Sequence, residues 1–467
     1  MASETIGRKL LKPKVGMVLM LAMAVGIIMG PWMPQMPFWF MLSGPSIALA
    51  FIVIMLLSIP IIFTYGELTA MLPFAGGEYN FARNAFGYKT AWVAGWFLIL
   101  LYIIGTAFMG PATARMIQAL LIFPDISESW ILLGGIGFLA IFAALNTFTI
   151  SLSAKFQFIM VILFVAVGLA TAGWFFGSGE WTVVTVTPFF TTGGLGFLVA
   201  ASILVTMIIG FDCIPQMAEE CNYPRRKHIW VMLASVLIAE TIYAIICLAN
   251  AGMMPTAWIT EQIVVSPEIA RILAGNIPAA IINLAGLAAT LTCLNGFMIA
   301  ASRVVFAMGR AGVLPPVFAR TNKQDIPYVA IWSIFGVCVL MVGIGREAWL
   351  ETLFVAAAFT TGIVYTITAS ASVALRKKYP EWPRPFKMPG GTGVGILGAI
   401  IGLAITAGVA YSMVVAIQTA WWVVGAWIVI GLVIYSWVAY QRRTKPAYRA
   451  LTDIVLTPTD IPEDRQV

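Results

Sequence analysis

Apolar runs separated by short polar segments recur along the whole chain. A run of about 20 apolar residues is long enough to cross the hydrocarbon core of a bilayer as a helix. The chain contains about twelve such runs, with approximate limits 15–38, 45–72, 90–121, 130–149, 153–176, 195–218, 228–251, 277–309, 328–345, 350–375, 394–417 and 420–440. This pattern predicts an all-α polytopic membrane protein with about 12 transmembrane helices.

Two of these runs are interrupted in the same way. Residues 26–31 read Gly-Ile-Ile-Met-Gly-Pro and residues 210–215 read Gly-Phe-Asp-Cys-Ile-Pro. Proline removes an N–H donor and crowds the carbonyl four residues earlier. We therefore expect the carbonyls of Ile27 and Phe211 to leave the helical hydrogen-bond ladder, and we expect the first and sixth spans to be broken helices.

Basic residues are distributed unevenly between alternate loops. With both termini on the inner side, 24 of the 27 Lys and Arg residues fall in inner segments, and the outer segments hold Arg115, Arg271 and Arg346. Positive residues collect on the cytoplasmic side of membrane proteins. We therefore expect a multi-pass protein of the cell (plasma) membrane, in particular a prokaryotic inner membrane, with both termini in the cytoplasm. The net charge of +7 then indicates no nucleic acid partner.

The two breaks divide the chain into halves of opposite direction, because span one runs outward and span six runs inward. Matched breaks in oppositely directed halves predict a five-plus-five inverted repeat with broken helices 1 and 6. The expected organisation is a cytoplasmic N-terminus, a first repeat, a second repeat, two further spans and a flexible cytoplasmic tail. Their limits are 1–14, 15–176, 195–375, 394–440 and 441–467.

A helix that stops inside a bilayer presents backbone N–H groups at one end and carbonyls at the other, and these bind anions and cations respectively. Carbonyls of the second break would accept from a substrate ammonium group, and N–H groups of the first would donate to a carboxylate. A matched pair of breaks points to a transporter's binding site, although two structural proline kinks are the alternative. The expected substrate-binding residues are Ala24, Val25, Gly26, Ile27, Ile208, Ile209, Gly210, Phe211 and Asp212.

Two carboxylates and three neutral side chains within the spans are candidates for coupling. Asp212 either pairs with a substrate amine or takes part in proton coupling. The alternative is that it caps the half-helix that follows it. Glu240 has no basic neighbour in sequence, so it is either a proton carrier or a hydrogen-bonded structural residue. In span eight, Thr290, Thr292 and Asn295 offer oxygens, although such groups commonly bond to neighbouring helices.

Carboxylates also lie at the inner ends of spans two and six. Glu67 and Glu78 flank the end of span two, and Glu219 and Glu220 lie beside basic residues at the end of span six. We interpret both groups as solvated junctions with ion pairs, and the second as a possible inner gate.

The composition provides little for cofactor or metal chemistry. The chain has one histidine, His228, and its five cysteines are scattered along the sequence. A phosphate-binding Gly-x4-Gly-Lys-Ser/Thr loop is absent from the sequence. We therefore expect no metal, no cofactor and no enzymatic activity. Since no cysteine falls in a predicted outer loop, we also expect no disulfide-linked heavy subunit.

Four segments in order resemble the amino acid–polyamine–organocation (APC) transporters. Gly-Phe-Asp followed by Ala-Glu-Glu (210–226) resembles the sixth-helix pattern, and Pro-Phe-Ala-Gly-Gly-Glu-Tyr (73–79) resembles the second-helix signature. Residues 302–315 and 384–390 resemble the exit of helix eight and the loop before helix eleven. The resemblance implies a five-plus-five fold, alternating access, and substrate held by the unwound parts of helices one and six.

The chain departs from this family at two places. The first-helix Gly-Ser-Gly-Ile of the family aligns with residues 24–27, which read Ala-Val-Gly-Ile, so the serine hydroxyl is missing. Members with a sodium-replacing lysine in helix five carry it seven residues after a glutamine, whereas here Gln157 leads to Phe164. The run Ile-Gly-Phe-Asp (209–212) resembles cationic amino acid carriers most.

Together these features predict a secondary active transporter. The expected substrates are amino acids or related small organic amines, moved by symport or exchange, with a proton or sodium as the possible coupling ion. Two alternatives remain open. One is a polyamine or monoamine carrier that lacks carboxylate recognition, and the other is a membrane receptor that senses an amino acid without transporting it.

Overall fold

The computed structural model describes residues 10–121, 126–148, 150–344 and 349–463, so Arg346 lies outside the described residues. The described α-helices are α1 (Met17–Met29), α2 (Met36–Ser43), α3 (Ile47–Met71), α4 (Gly77–Phe86), α5 (Tyr88–Leu121), α6 (Glu128–Asn146), α7 (Ile150–Gly177), α8 (Val183–Val186), α9 (Gly193–Ile203), α10 (Cys213–Gln216), α11 (His228–Met253), α12 (Thr256–Thr260), α13 (Val265–Ala274), α14 (Asn276–Arg310), α15 (Tyr328–Ile344), α16 (Trp349–Lys378), α17 (Gly391–Val415), α18 (Ala420–Thr444) and α19 (Pro446–Asp453).

The membrane-spanning pattern predicted from the sequence is confirmed. Within the described ranges, 10 helical segments are long and apolar enough to cross a membrane. Two shorter apolar helices, Met17–Met29 and Tyr328–Gly343, lie at the first and ninth predicted spans. Many large apolar side chains of the outer helices α17 and α18 are exposed, as expected for surfaces that face lipid.

The two proline-containing interruptions break their spans. The first span is divided into α1 and α2, which are separated by turns at residues 30–35. In the sixth span, α9 is followed by a tight 3-10 stretch, Leu204–Ile208, and then by non-helical backbone before α10 begins at Cys213. Proline and glycine therefore act here as the sequence predicts, because they disrupt the helical ladder inside long apolar runs.

Helix α14 lies at the centre of the bundle, where it packs against α1, α5 and α7. On the other side of α1, α11 packs against α1, α3 and α7. The first break is therefore enclosed by α7, α11 and α14. The segment between α11 and α14 forms the short helices α12 and α13, which cover one end of the bundle, and α13 packs against α14.

Both ends of the described chain lie at the same end of the bundle, which we call the termini end. The N-terminal segment pairs Val15 with Cys221 in an isolated β-bridge. At the other end of the chain, Leu456 and Ile461 are buried against Phe74. The expectation of a flexible tail is wrong for its described part, because α18 continues into the tail as far as Thr444, α19 follows, and apolar tail side chains complete a small core.

We predict that the contact between α5 and α6 tolerates no side chain at Gly135. A Cβ atom there would lie 2.6 Å from the Pro111 nitrogen and 2.9 Å from the Gly110 carbonyl carbon. Because both neighbours are backbone atoms, Gly135→Ala forces the helices apart, at a cost of about 1–3 kcal/mol. The measurement is the melting temperature of the purified protein in detergent, which should fall.

Gly137 on the same helix provides the matched control for this change. A Cβ atom at Gly137 would meet nothing within 4 Å. Alanine is favoured over glycine in a helix by about 0.5–1 kcal/mol, so Gly137→Ala should leave the melting temperature unchanged or raise it slightly. Equal effects of the two substitutions would contradict the close packing of α5 on α6.

Candidate functional site

The carbonyl groups at the end of α1 are satisfied by side chains from other helices. The Cys293 thiol donates to the Ile27 carbonyl at 3.1 Å, as expected for a carbonyl that Pro31 removes from the helical ladder. The adjacent carbonyls also accept hydrogen bonds, from the Thr292 hydroxyl to Gly26 at 3.2 Å and from the Tyr243 hydroxyl to Ile28 at 2.6 Å. Helices α11 and α14 therefore stabilise the first break.

The first break begins later in the chain than the sequence predicts. Ala24, Val25, Gly26 and Ile27 all lie within α1, which continues to Met29. Their N–H groups belong to the helical ladder, in which each donates to the carbonyl four residues earlier. These N–H groups therefore do not lie at the break itself, and the expected contact of residues 24–27 with a substrate carboxylate stays a prediction. Proline leaves the N–H groups before it unaffected and frees only the earlier carbonyl.

The second break is held mainly by its own residues. Gly210 adopts φ 149°, and its N–H donates to Asp212 Oδ1 at 2.9 Å. The Phe211 carbonyl, which Pro215 removes from the ladder, accepts from Ile214 N in a turn at 3.2 Å. The Asp212 side chain therefore holds the Gly210 backbone two residues earlier, and it makes no capping hydrogen bond to α10.

The two breaks approach each other closely at Gly210. A Cβ atom on this residue would lie 2.7 Å from the Ala24 carbonyl oxygen and 2.6 Å from Ile28 Cγ1. Glycine is therefore required both by the backbone conformation and by the contact with α1. Just before it, the Ile209 carbonyl accepts no hydrogen bond from the described part of the chain.

A small cavity of about 30 Å³ lies between the breaks and helices α5, α14 and α16, and Ile209 forms part of its wall. Among the described residues that line it, only Gln35 and Thr206 have polar side chains, and Asp212 does not line it. The Thr206 hydroxyl donates to the Ile203 carbonyl of its own span at 2.9 Å. The apolar side chains that dominate the wall include Ile27, Leu101, Ile104, Met109, Met207 and Phe297.

A larger cavity of about 270 Å³ lies at the end of the bundle opposite the termini end. It shares Gln35, Phe108 and Phe354 with the wall of the smaller cavity. These three side chains therefore lie between the two cavities. A ligand that entered from this end would reach the smaller cavity when they move apart.

The termini end is closed by two buried ion pairs. Arg310 contacts Glu219 at 2.7 Å, and Arg303 contacts Glu220 at 2.8 Å. All four side chains are buried, so the interpretation of Glu219 and Glu220 as a solvated junction is wrong. The expected ion pairs are present, and the arginines of these two pairs come from α14.

The N-terminal segment adds to this closure. The Leu11 N–H donates to Glu219 Oε2 at 2.8 Å, and the Val15 N–H donates to the Glu220 carbonyl at 2.9 Å. The segment before α1 is thus joined by hydrogen bonds to the segment after the second break. Opening at this end requires these bonds to separate.

The carboxylates at the end of the second span are buried rather than solvated. Glu67 is paired with Arg376, and Arg384 lies 3.4 Å from the same carboxylate. Glu78 is fully buried and accepts a hydrogen bond from Gln216 Nε2. Sequence reasoning named Glu78 but missed its burial, because its Gly-rich surroundings suggest an exposed turn. The burial comes from α10, which is far away in sequence.

The coupling candidates of span eight belong to an amide network between helices. The Asn295 amide donates to Gln157 Oε1 at 3.1 Å, and Gln157 Nε2 donates to the Thr292 carbonyl at 2.9 Å. This network joins α14 to α7. The Thr290 hydroxyl donates to the Leu287 carbonyl of its own helix, and both oxygens of the buried Glu240 lack a partner among the described residues.

Comparisons with known proteins agree with this arrangement. The profile of a protein family described as "Amino acid permease" matches residues 15–434. The branched-chain amino acid permease BcaP of Bacillus subtilis (strain 168) is 26% identical over 474 residues, covering 94% of this chain and 96% of the relative. The methylthioribose transporter of the same organism is 25% identical and covers 86% and 87%.

More distant proteins are similar over shorter stretches or in fold alone. The vacuolar cationic amino acid transporter 2 of Arabidopsis thaliana is 26% identical and covers 73% of this chain and 56% of the relative. The crystal structure of a manganese transporter from Eremococcus coleocola, in complex with an aromatic bis-isothiourea substituted compound, matches with a TM-score of 0.59, covering 93% of this chain and 95% of that chain at 11% identity. This last likeness shows the fold alone.

We predict that the buried ion pairs at the termini end contribute far more to stability than an exposed pair. Arg310→Met leaves Glu219 buried without this cation, which costs about 3–5 kcal/mol. The exposed pair of Arg442 and Asp453, at 2.6 Å, is the matched control, because Arg442→Met should cost less than about 1 kcal/mol. Melting temperatures in detergent measure both effects, and similar losses would contradict the role of burial.

Proposed function

Because this chain belongs to the amino acid permease family, we propose that it carries amino acids with apolar side chains across the cell membrane by alternating access. The family and its relatives are permeases and transporters, so the chain is a transporter and not an enzyme. The observation that carries the choice of substrate is the apolar wall of the cavity between the two breaks.

This wall would suit an uncharged aliphatic side chain once the cavity widens, because its volume of about 30 Å³ is too small for one in this structure. A charged side chain would lose its hydration in the cavity without gaining an ionic partner, and such a loss costs several kcal/mol. None of the described residues in the wall is acidic or basic. A relative that covers almost the whole chain is named for branched-chain amino acids, which agrees with an apolar substrate.

The backbone of the second break supplies the polar part of the site in this proposal. Ile209 lines the cavity, and its carbonyl accepts no hydrogen bond within the described chain. In this proposal the carbonyl accepts from the substrate ammonium group when the break moves. Ile208 and Gly210 flank it along the same stretch of backbone. Asp212 lies behind this stretch, outside the cavity wall, and we assign it no direct contact with the substrate.

The two ends of the bundle support alternating access in different ways. The termini end carries the buried ion pairs together with a cavity of about 390 Å³ that Glu219 helps to line, whereas the cavity of about 270 Å³ at the opposite end shares wall residues with the cavity between the breaks. Since 24 of 27 basic residues fall in segments assigned to the side of the termini, we propose that the termini end faces the cytoplasm. In this proposal the two buried ion pairs are contacts that close the cytoplasmic side.

The test of the proposed function is counterflow of labelled leucine into proteoliposomes that contain the purified protein. We expect unlabelled leucine, isoleucine and valine to compete, and lysine and putrescine not to compete, because no cavity residue pairs with a second positive charge. Competition by putrescine without competition by any amino acid would favour an amine carrier. Binding of leucine without flux would favour a receptor.

The cavity also predicts a change in substrate size preference. Ile104 forms part of the wall, so Ile104→Phe should reduce the space for a branched side chain. We expect the kcat/KM for leucine uptake to fall about tenfold or more and that for alanine to fall less, since one methylene group in an apolar pocket is worth about 1–3 kcal/mol. Ile104→Val is the control and should preserve leucine uptake. An equal loss for both substrates would contradict the assignment of the cavity.

A further inference from the structure

A second buried carboxylate lies beside the second break, in addition to Asp212. Helix α4 begins next to α10, where a Cβ atom on Gly77 would lie only 2.5 Å from Pro215 Cβ. This close approach of α4 to α10 places the next residue, Glu78, beside the second break. Both Glu78 and Asp212 are completely buried.

Gln216 joins the two acidic residues. Its Nε2 group donates to Glu78 Oε2 and also to the backbone carbonyl of Asp212, at 3.2 Å. One amide group is therefore in contact with the side chain of one acidic residue and the main chain of the other. Because Gln216 and Asp212 both belong to the second break, movement of this break changes the surroundings of Glu78.

Each carboxylate keeps one oxygen without a partner. Glu78 Oε1 and Asp212 Oδ2 accept no hydrogen bond from the described residues. The tyrosine hydroxyls of Tyr65 and Tyr365, whose rings contact Phe211 at centroid distances of 5.1 and 5.5 Å, are likewise unpartnered. A buried carboxylate oxygen without a donor is costly, and a bound proton removes this cost.

Among the described residues, the titratable groups around the pair provide no compensating cation. Those that interact with it from neighbouring helices are the neutral side chains of Tyr65 on α3, Tyr102 on α5, Cys213 on α10 and Tyr365 on α16. The arginines of the adjacent helices α14 and α4 have other contacts, which are Arg303 with Glu220, Arg310 with Glu219, and Arg83 with the Thr452 carbonyl.

Two buried carboxyl groups that influence each other electrostatically, with no cation among the described residues that interact with them, do not ionise independently. Burial, followed by the charge on Asp212, raises the pKa of Glu78 to about 8. At neutral pH the pair therefore holds at least one proton. This conclusion agrees with the presence of carboxylate oxygens that lack a partner. The O–H group of a protonated carboxyl can donate to such an oxygen once side chains adjust.

We propose that Glu78 and Asp212 form one proton-binding pair that couples the movement of the second break to a proton. Binding converts one carboxylate into a carboxyl group and lets α4 and the break remain in contact. Loss of the proton leaves two negative charges in one buried region, and their repulsion favours separation of α4 from the break. The inference rests on the proposed transport function, since the same break carries the Ile209 carbonyl.

The experiment measures substrate counterflow and proton entry in the same proteoliposomes, with labelled leucine and an internal pH dye. In the unaltered protein we expect leucine entry to be accompanied by protons, and an inward proton gradient to drive accumulation. In Glu78→Gln we expect gradient-driven accumulation to fall at least about tenfold relative to counterflow, because the amide cannot release a proton. A variant that keeps proton entry would overturn the proposal.

Two further variants separate this role from a general loss of a carboxylate. Glu261→Gln changes an exposed carboxylate and should keep proton entry with the substrate. Glu240→Gln changes the isolated buried carboxyl of α11 and should also keep it, so loss of proton entry in Glu240→Gln alone would overturn the assignment to Glu78. If Glu78→Gln fails to fold, Glu78→Asp replaces it, and its transport must then show a shifted pH profile.

A measurement that does not depend on transport tests the proton-binding pair separately from the proposed function. The pKa of Glu78 rises from 4.5 to about 8 on folding, so the folded state binds more protons between these values and loses stability as the pH rises through them. Glu78→Gln should therefore show a smaller fall in melting temperature between pH 4.5 and pH 8 than Glu261→Gln. Absence of leucine counterflow alone would refute the proposed function, whereas identical melting profiles would refute the proton pair.

Discussion

The backbone hydrogen bonds that two prolines interrupt inside the membrane are the constraint on which the rest of the structure depends. A carbonyl without a donor is not tolerated in hydrocarbon, so each break exists only where other groups provide donors. At the first break, Tyr243, Thr292 and Cys293 supply them. These residues come from α11 and α14, which explains why α1 lies between these two helices and why α14 occupies the centre of the bundle.

The two breaks satisfy this constraint differently, and this difference leaves different groups without a partner at each break. The first break depends on side chains from neighbouring helices, which leave its carbonyls occupied. The second break uses its own backbone and Asp212, so the Ile209 carbonyl and Asp212 Oδ2 both stay without a partner among the described residues. The proposed ligand contact and the proposed proton site therefore lie on the same short stretch of chain.

The sequence predicted the features that depend on local chemistry. The positions of the helices, the two proline breaks and the freed Ile27 carbonyl follow from residue type and spacing, and the structure contains them. The burial of Glu78 did not follow, because its partner Gln216 lies 138 residues away and no local pattern indicates that contact. The placement of the first break was also missed, since a proline defines the carbonyl it frees but not the residue at which the turns begin.

The packing of the C-terminal segment against α4 has a consequence for biosynthesis. Arg83 donates to the carbonyl of Thr452, which lies 369 residues later in the chain, and Asn84 donates to the carbonyl of Leu456. A ribosome therefore produces α4 long before it produces the acceptors that complete its hydrogen bonds. Until the last helix has entered the bilayer, these donors remain hydrated, and the seal around α4 is among the final contacts to form during assembly.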